Sequence, residues 1–233
     1  MLSERDGAEM IVAEQKPLEE IRKLIAPYDR VLLLGCGTCV TVCFAGGEKE
    51  VGVLAAALRM AERIDGRDVM VSELTIHRQC EPEFVGEVRD KLGDAQAVLS
   101  LGCGVGVQAV AAALPGVRVL PGLNTKFMGE TVEPGFWREA CLGCGNCVLD
   151  LTGGICPIAR CSKSLLNGPC GGSEGGRCEI SKDVECAWQL IYDRLSQLGR
   201  LDLMEEIIPF KDWSTAHAGG PRKIVRPDLA KLT

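Results

Sequence analysis

Short apolar runs alternate with amphipathic stretches along the first 125 residues of the chain. The apolar runs are typical of buried strands, because they carry few polar positions and end at glycine or turn residues. The stretches between them place apolar residues at helical spacing. Strands that alternate with helices and are apolar throughout indicate a parallel sheet covered on both faces, so this part is predicted to be a Rossmann-like α/β domain. The predicted strands cover 31–35, 68–76, 97–102 and 117–123. The stretch 9–27, with apolar residues at Ile11, Leu18, Ile21, Leu24 and Ile25, predicts a helix that begins after Pro17, and further helices are predicted over 48–64, 81–92 and 105–114.

The pattern changes after about residue 140. Residues 141–186 hold eight cysteines and nine glycines with little periodicity. Such a segment buries too little apolar surface to offset the entropy of ordering it, and bound metal is the natural source of the missing stability. Helical spacing returns over 186–198, and an extended arm follows from Pro209. We therefore predict an α/β domain (1–130), a cysteine-rich, loop-dominated, ferredoxin-like metal domain with a closing helix (131–200) and a C-terminal arm (201–233).

Composition narrows the functional classes. The chain has thirteen cysteines and shows no secretory signal, so we expect a reducing, cytoplasmic setting in which thiols serve as ligands rather than disulfides. A formal net charge of −6 argues against nucleic acid as the main partner. The longest apolar runs are far too short to span a membrane.

Four cysteines follow the ends of the first three predicted strands. Cys36 and Cys39 follow the first strand, Cys80 the second and Cys103 the third. Sites in parallel sheets form beyond the carboxyl ends of the strands, so these thiols are predicted to meet there and bind one iron–sulfur cluster. Cys43 is nearby and could replace one of them, but the surrounding sequence is better suited to packing.

Two other interpretations of the same loops remain open. Glycines 35, 37, 102, 104 and 106 could form a phosphate-binding turn, although neither loop has the G-x-G-x-x-G spacing of a dinucleotide site. A catalytic thiol would need a base, and the chain has only two histidines, His77 and His217. We assign no catalytic residue and no organic cofactor site from the sequence.

A second group of cysteines begins with C-x2-C-x2-C at Cys141, Cys144 and Cys147. Three thiols at this spacing are typical of a cubane iron–sulfur cluster, and a Cys-Pro pair follows as in ferredoxins, although after a longer gap. The fourth ligand must come from the later cysteines, and the remaining four could bind a further cluster, bind zinc or stay without metal. The later cysteines are Cys156, Cys161, Cys170, Cys178 and Cys186.

Three stretches resemble a known family: GCGTCVTVCFAGG (35–47), ICPIARCSKSLLNGPCGGSEGGRCEI (155–180) and CAWQLIYDRL (186–195). They are similar to the methylenetetrahydrofolate reductase C-terminal-domain family, which in acetogen-type enzymes supplies a small iron–sulfur subunit. The resemblance implies electron transfer and assembly beside a flavin-bearing TIM-barrel catalytic subunit, in the one-carbon reactions of the acetyl-CoA (Wood–Ljungdahl) pathway. It places the folate and flavin sites in that partner, and further electron-transfer subunits are compatible with it.

Three functions therefore compete. The first is a non-catalytic electron-transfer subunit with two [4Fe–4S] clusters and a third site for cluster or zinc. The second is a structural zinc-binding docking module, and the third, ranked last, is an enzyme that binds a nucleotide at the strand ends. Phe210, Trp213 and the basic end that includes Lys231 suggest that the arm contacts a partner, with a disordered tail as the alternative.

Overall fold

The computed structural model describes residues 11–226 and 228. Two compact units divide the chain between Arg138 and Glu139. The domain boundaries predicted at residues 130 and 200 stay predictions. Residues 9 and 10, from the stretch that predicts the first helix, and Lys231 of the basic end lie outside the described residues. No helix among the described residues is long and apolar enough to cross a membrane.

Helices and strands alternate through most of the first unit. In chain order they are β1 (Ile11–Gln15), α1 (Leu18–Ile25), β2 (Arg30–Cys36), α2 (Cys39–Val42), α3 (Glu48–Ile64), β3 (Met70–Ile76), α4 (Pro82–Lys91), β4 (Ala97–Ser100), α5 (Gly104–Ala113), β5 (Arg118–Pro121), β6 (Leu123–Glu133) and β7 (Phe136–Cys141), the last of which crosses the boundary between the units.

The central element of the first unit is a four-stranded parallel sheet in the order β3-β2-β4-β5. Alternate residues of β2 face opposite sides. Val31 and Leu33 pack in the cluster that includes residues of α1 and α3, whereas Leu32 and Leu34 pack with residues of α4 and α5. This confirms the α/β class and the parallel sheet, while the Rossmann-like description stays a prediction.

A three-stranded sheet in the order β1-β6-β7 was not predicted. β1 pairs antiparallel with β6, and Val12, Ala13 and Leu123 from these strands join the core beside β2. The predicted start of the first helix after Pro17 is confirmed, since α1 begins at Leu18. Ile11, which was counted in the apolar pattern of that stretch, instead opens a strand. The strand predicted over 117–123 is interrupted at Gly122, which separates β5 from β6.

The second unit is built mainly of loops and turns, as expected from its glycine content. After β7 come α6 (Pro157–Arg160), α7 (Ala187–Gln197) and three short 3-10 turns at Leu201–Met204, Trp213–Thr215 and His217–Gly219. Its hydrophobic cluster is small, with Cys186, Trp188, Ile191 and Leu195 as the buried members. The core is thus formed largely by one face of α7.

Candidate metal centres

The first group of cysteines lies at the carboxyl edge of the parallel sheet. Cys36 is the buried last residue of β2, and Cys39 begins α2 immediately after it. Cys80 lies in the loop between β3 and α4, and Cys103 directly precedes α5. Since β3 and β4 flank β2 on opposite sides, the loops after β2 and β4 open where the order of strands reverses, which is where open α/β sheets bind ligands.

The electrostatics of Cys80 indicate that three of these thiols are neighbours. The pKa of the Cys80 thiol is raised above its ordinary value by burial and then by the negative charges of the Cys103 and Cys36 thiolates. The second cause requires Cys80 to lie within electrostatic range of both Cys103 and Cys36. Thiolates that repel each other are stabilised together by a cation, because a bound metal ion reverses the sign of the local field.

A buried glutamine joins the loops that carry these cysteines. Gln79 is fully buried. Its Nε2 donates a hydrogen bond to the Leu34 carbonyl oxygen at 2.8 Å, and its Oε1 accepts one from Ser100 Oγ at 2.6 Å. The amide of Gly102 in turn donates to Ser100 Oγ at 3.1 Å. Gln79 therefore fixes the loops before Cys80 and Cys103 against the end of β2.

Glycines let these loops approach each other closely. A Cβ atom on Gly46 would overlap the carbonyl oxygen of Leu101, and one on Gly102 would overlap Gln79 Oε1. The Gly46 carbonyl accepts a hydrogen bond from the Cys36 amide at 2.9 Å. Close packing thus accounts for Gly46 and Gly102, and the phosphate-binding interpretation of these loops stays an alternative prediction.

Cys43 differs from its neighbours. It is buried, and its Sγ lies 3.5 Å from the Ala13 carbonyl oxygen and 3.6 Å from that of Val40. Burial raises the pKa of the Cys43 thiol, and the Cys39 thiolate adds to the rise. Cys43 therefore packs beneath the β2 loop as a neutral thiol, which agrees with its interpretation as a packing residue.

In the second unit, the C-x2-C-x2-C loop depends on two left-handed glycines. Gly143 has φ +59° and Gly145 has φ +84°, a region that other residues rarely adopt. The amide of Gly143 donates to Cys141 Sγ at 3.3 Å. A backbone amide bonded to a ligating sulfur is one of the features by which proteins tune iron–sulfur clusters.

The C-terminal arm covers this loop. Lys211 Nζ lies 3.4 Å from the Asn146 carbonyl oxygen, and Thr215 Oγ1 lies 2.9 Å from that of Cys144. Arg222 donates to the Gly143 carbonyl oxygen. The three contacts satisfy consecutive parts of the loop backbone, so residues 211–222 are an ordered part of the candidate site. The disordered-tail interpretation was wrong for this stretch, although Phe210 beside it is fully exposed.

The later cysteines make local contacts. Cys156 caps α6, with its Sγ accepting from the Ala159 amide at 3.5 Å. The thiol of Cys170 lies 3.5 Å from Glu179 Oε2, and that of Cys178 lies 3.5 Å from Ser162 Oγ. The Ser162 hydroxyl holds the pKa of the Cys178 thiol below its ordinary value, and Lys163 does the same for the Glu179 carboxyl.

No group of three or more His, Cys, Asp or Glu side chains within 11–226 is already arranged to hold a metal ion. The donors nevertheless fit iron–sulfur chemistry. They are thiols on glycine-rich loops with backbone amides beside them, and no disulfide joins any of the thirteen. The chemistry of the donor set, more than its present geometry, supports metal binding.

The sequence missed the residues that support the ligands. Gln79 carries no signal in the sequence beyond its place next to Cys80. Lys211 and Arg222 were visible as charges in the arm, but their contacts with a loop some seventy residues earlier are visible only in the structure.

Residues 120–214 match a family model described as methylene-tetrahydrofolate reductase C terminal. The family resemblance is confirmed over these residues. The matched region contains all eight cysteines of the second group, together with Lys211 of the arm. No curated protein and no solved structure matches the chain.

Proposed function

We propose that this chain is the iron–sulfur electron-transfer and assembly subunit of a methylenetetrahydrofolate reductase complex, which passes electrons to the flavin of a catalytic partner subunit. The observation that carries the proposal is the family match over a segment whose cysteines stand at ferredoxin-like spacing. The link to methylenetetrahydrofolate reductase comes from the family; the electron-transfer role comes from the cysteines.

The residues of the chain have distinct tasks in this proposal. Cys36, Cys39, Cys80 and Cys103 would hold one [4Fe–4S] cluster, and Cys141, Cys144 and Cys147 would hold another with a fourth thiol. Such clusters supply one-electron transfer when bound. Gln79 holds the first set of loops in place, and Thr215 and Arg222 hold the second.

The first test is the metal content of the full chain purified without oxygen. We expect iron and sulfide in equal amounts, and loss of about four of each per chain in Cys39→Ser and Cys103→Ser. Cys43→Ser is the matched control, since Cys43 lies four residues from Cys39 but packs in the core, and it should keep its full iron content.

The second test is electron transfer to the partner. The chain, reduced with an artificial one-electron donor, should reduce the flavin of a co-purified TIM-barrel subunit, and Cys39→Ser should slow this reaction without preventing the two chains from binding. Chain without iron that still supports full partner activity would refute the electron-transfer role. Zinc without iron or sulfide would support the alternative, a structural zinc-binding docking module.

A further inference from the structure

Four cysteines of the second unit line one small cavity. They are Cys161, Cys170, Cys178 and Cys186, and Trp188 also lines the cavity. Cys186 is buried, Cys161 and Cys178 are half-buried, and Cys170 is exposed. Four cysteines that line one cavity supply as many thiols as a tetrahedral metal site needs, although their sulfurs are not yet arranged around one metal position.

The backbone brings these cysteines together from separate stretches of the chain. The amide of Cys178 donates to the Val184 carbonyl at 2.8 Å, and the amide of Cys186 donates to the Gly176 carbonyl at 2.8 Å. These paired bonds set the Cys178 stretch beside the Cys186 stretch. Cys170 is held from the other side by Glu179, which also pairs with Lys163.

The size of the cavity favours a single small ion. Its volume is about 20 Å³, and a cavity needs about 10–15 Å³ to hold one water molecule. One small ion fits this space as it stands, whereas a cubane cluster, with four iron and four sulfide atoms, would require the cysteine loops to move apart. Zn²⁺ bound by four thiolates in a closed site is the usual arrangement for a structural metal.

We propose that Cys161, Cys170, Cys178 and Cys186 bind a single structural Zn²⁺. The thiols of Cys170 and Cys178 now bond to Glu179 and Ser162, so binding exchanges these hydrogen bonds for sulfur–metal bonds. With these four cysteines assigned to zinc, Cys156 is the remaining cysteine of the second group that can serve as the fourth ligand beside Cys141, Cys144 and Cys147. It goes beyond the electron-transfer proposal and does not depend on it.

Metal analysis of single variants tests the site in the full chain. We expect about one zinc per chain in the wild-type protein and less than a tenth of that in Cys170→Ser and Cys178→Ser, with iron unchanged. Cys43→Ser is the control and should keep its zinc. If Cys170→Ser or Cys178→Ser loses iron instead of zinc, the cavity binds a cluster. If both variants keep their zinc, the zinc ligands are other residues. Either result overturns the proposal.

Cobalt provides a readout that does not depend on variants folding. Co²⁺ added to metal-stripped wild-type chain should produce the intense visible bands of tetrahedral thiolate coordination, and added Zn²⁺ should abolish them. Weak bands typical of oxygen ligands would overturn the four-thiolate assignment. A chain that contains zinc but no iron would refute the clusters and leave this site intact, so the two proposals fail separately.

Discussion

Gln79 shows how one buried polar side chain supports the first candidate site. It bonds at once to the end of β2 through Leu34 and to the end of β4 through Ser100. Replacing it with leucine keeps the approximate volume but leaves the buried Ser100 hydroxyl without an acceptor for its hydrogen. It also removes one of the two hydrogen bonds to the Leu34 carbonyl, which still accepts from the Leu101 amide. Each buried group left unpaired costs on the order of 1–3 kcal/mol.

We therefore expect Gln79→Leu to lower the free energy of unfolding of the first unit by about 2 kcal/mol and to reduce the iron bound at Cys36, Cys39, Cys80 and Cys103. Urea titration followed by hydrogen exchange of peptides covering 97–104 measures the first effect, and iron analysis measures the second. Gln108→Leu is the control, because Gln108 is exposed and bonds within α5 to Gly104. Equal effects of the two substitutions would contradict the role given to Gln79.

At the scale of elements, the sequence predicts what is local and misses what is distant. The helix expected over 48–64 is α3, with the same ends, because seventeen consecutive residues carry its pattern. β2 is a continuous buried run that needs no partner to be recognised. β1 and β6 lie more than a hundred residues apart, and β6 is only partly buried along its length. Its alternation of apolar and polar residues is therefore weak.

The same limit applies to the candidate sites. Strand ends place Cys36, Cys80 and Cys103 at one edge once a parallel sheet is predicted. The cavity of the second unit follows no such rule, because glycine-rich turns have no period from which spatial neighbours can be deduced. The arm is the third case: its basic residues are evident in the sequence, but the loop that they cover is not.

The arm supports a prediction of its own. The Thr215 hydroxyl lies 2.9 Å from the carbonyl oxygens of both Cys144 and Asp212. Thr215→Val keeps the shape of the side chain and removes this donor, at a cost of about 1 kcal/mol. We expect the loop over the C-x2-C-x2-C cysteines to open more often, and a chelator to extract iron from it several-fold faster.

Iron release followed by absorbance under anaerobic conditions measures this effect. Ser214→Ala is the control, because it removes a neighbouring hydroxyl that bonds to Asp212 but keeps the backbone bond between these two residues and the Thr215 contact with Cys144. Unchanged release from Thr215→Val would show that the Thr215 hydroxyl contributes nothing to holding the loop.

At the scale of the whole molecule, the two units differ in what stabilises them. The first has two hydrophobic clusters, one on each face of its parallel sheet. The second has one small cluster around α7 and eight cysteines on loops. A core that small does not offset the entropy of ordering so many loop residues, so the second unit should depend on metal, as small metal-binding domains generally do.

Stripping all metal from the full chain should therefore unfold the second unit and leave the first folded. We expect limited proteolysis of the stripped chain to cut first between 142 and 186 and to yield a stable fragment that ends near Arg138, identified by its intact mass. The metal-loaded chain should resist the same protease treatment. Zn²⁺ added alone to the stripped chain should restore protection from the protease around 161–186 but not around 141–147, because only the four-cysteine cavity is expected to bind zinc. Cleavage that begins within the parallel sheet, or a stripped second unit that resists the protease, would show that metal is not what holds these loops in place.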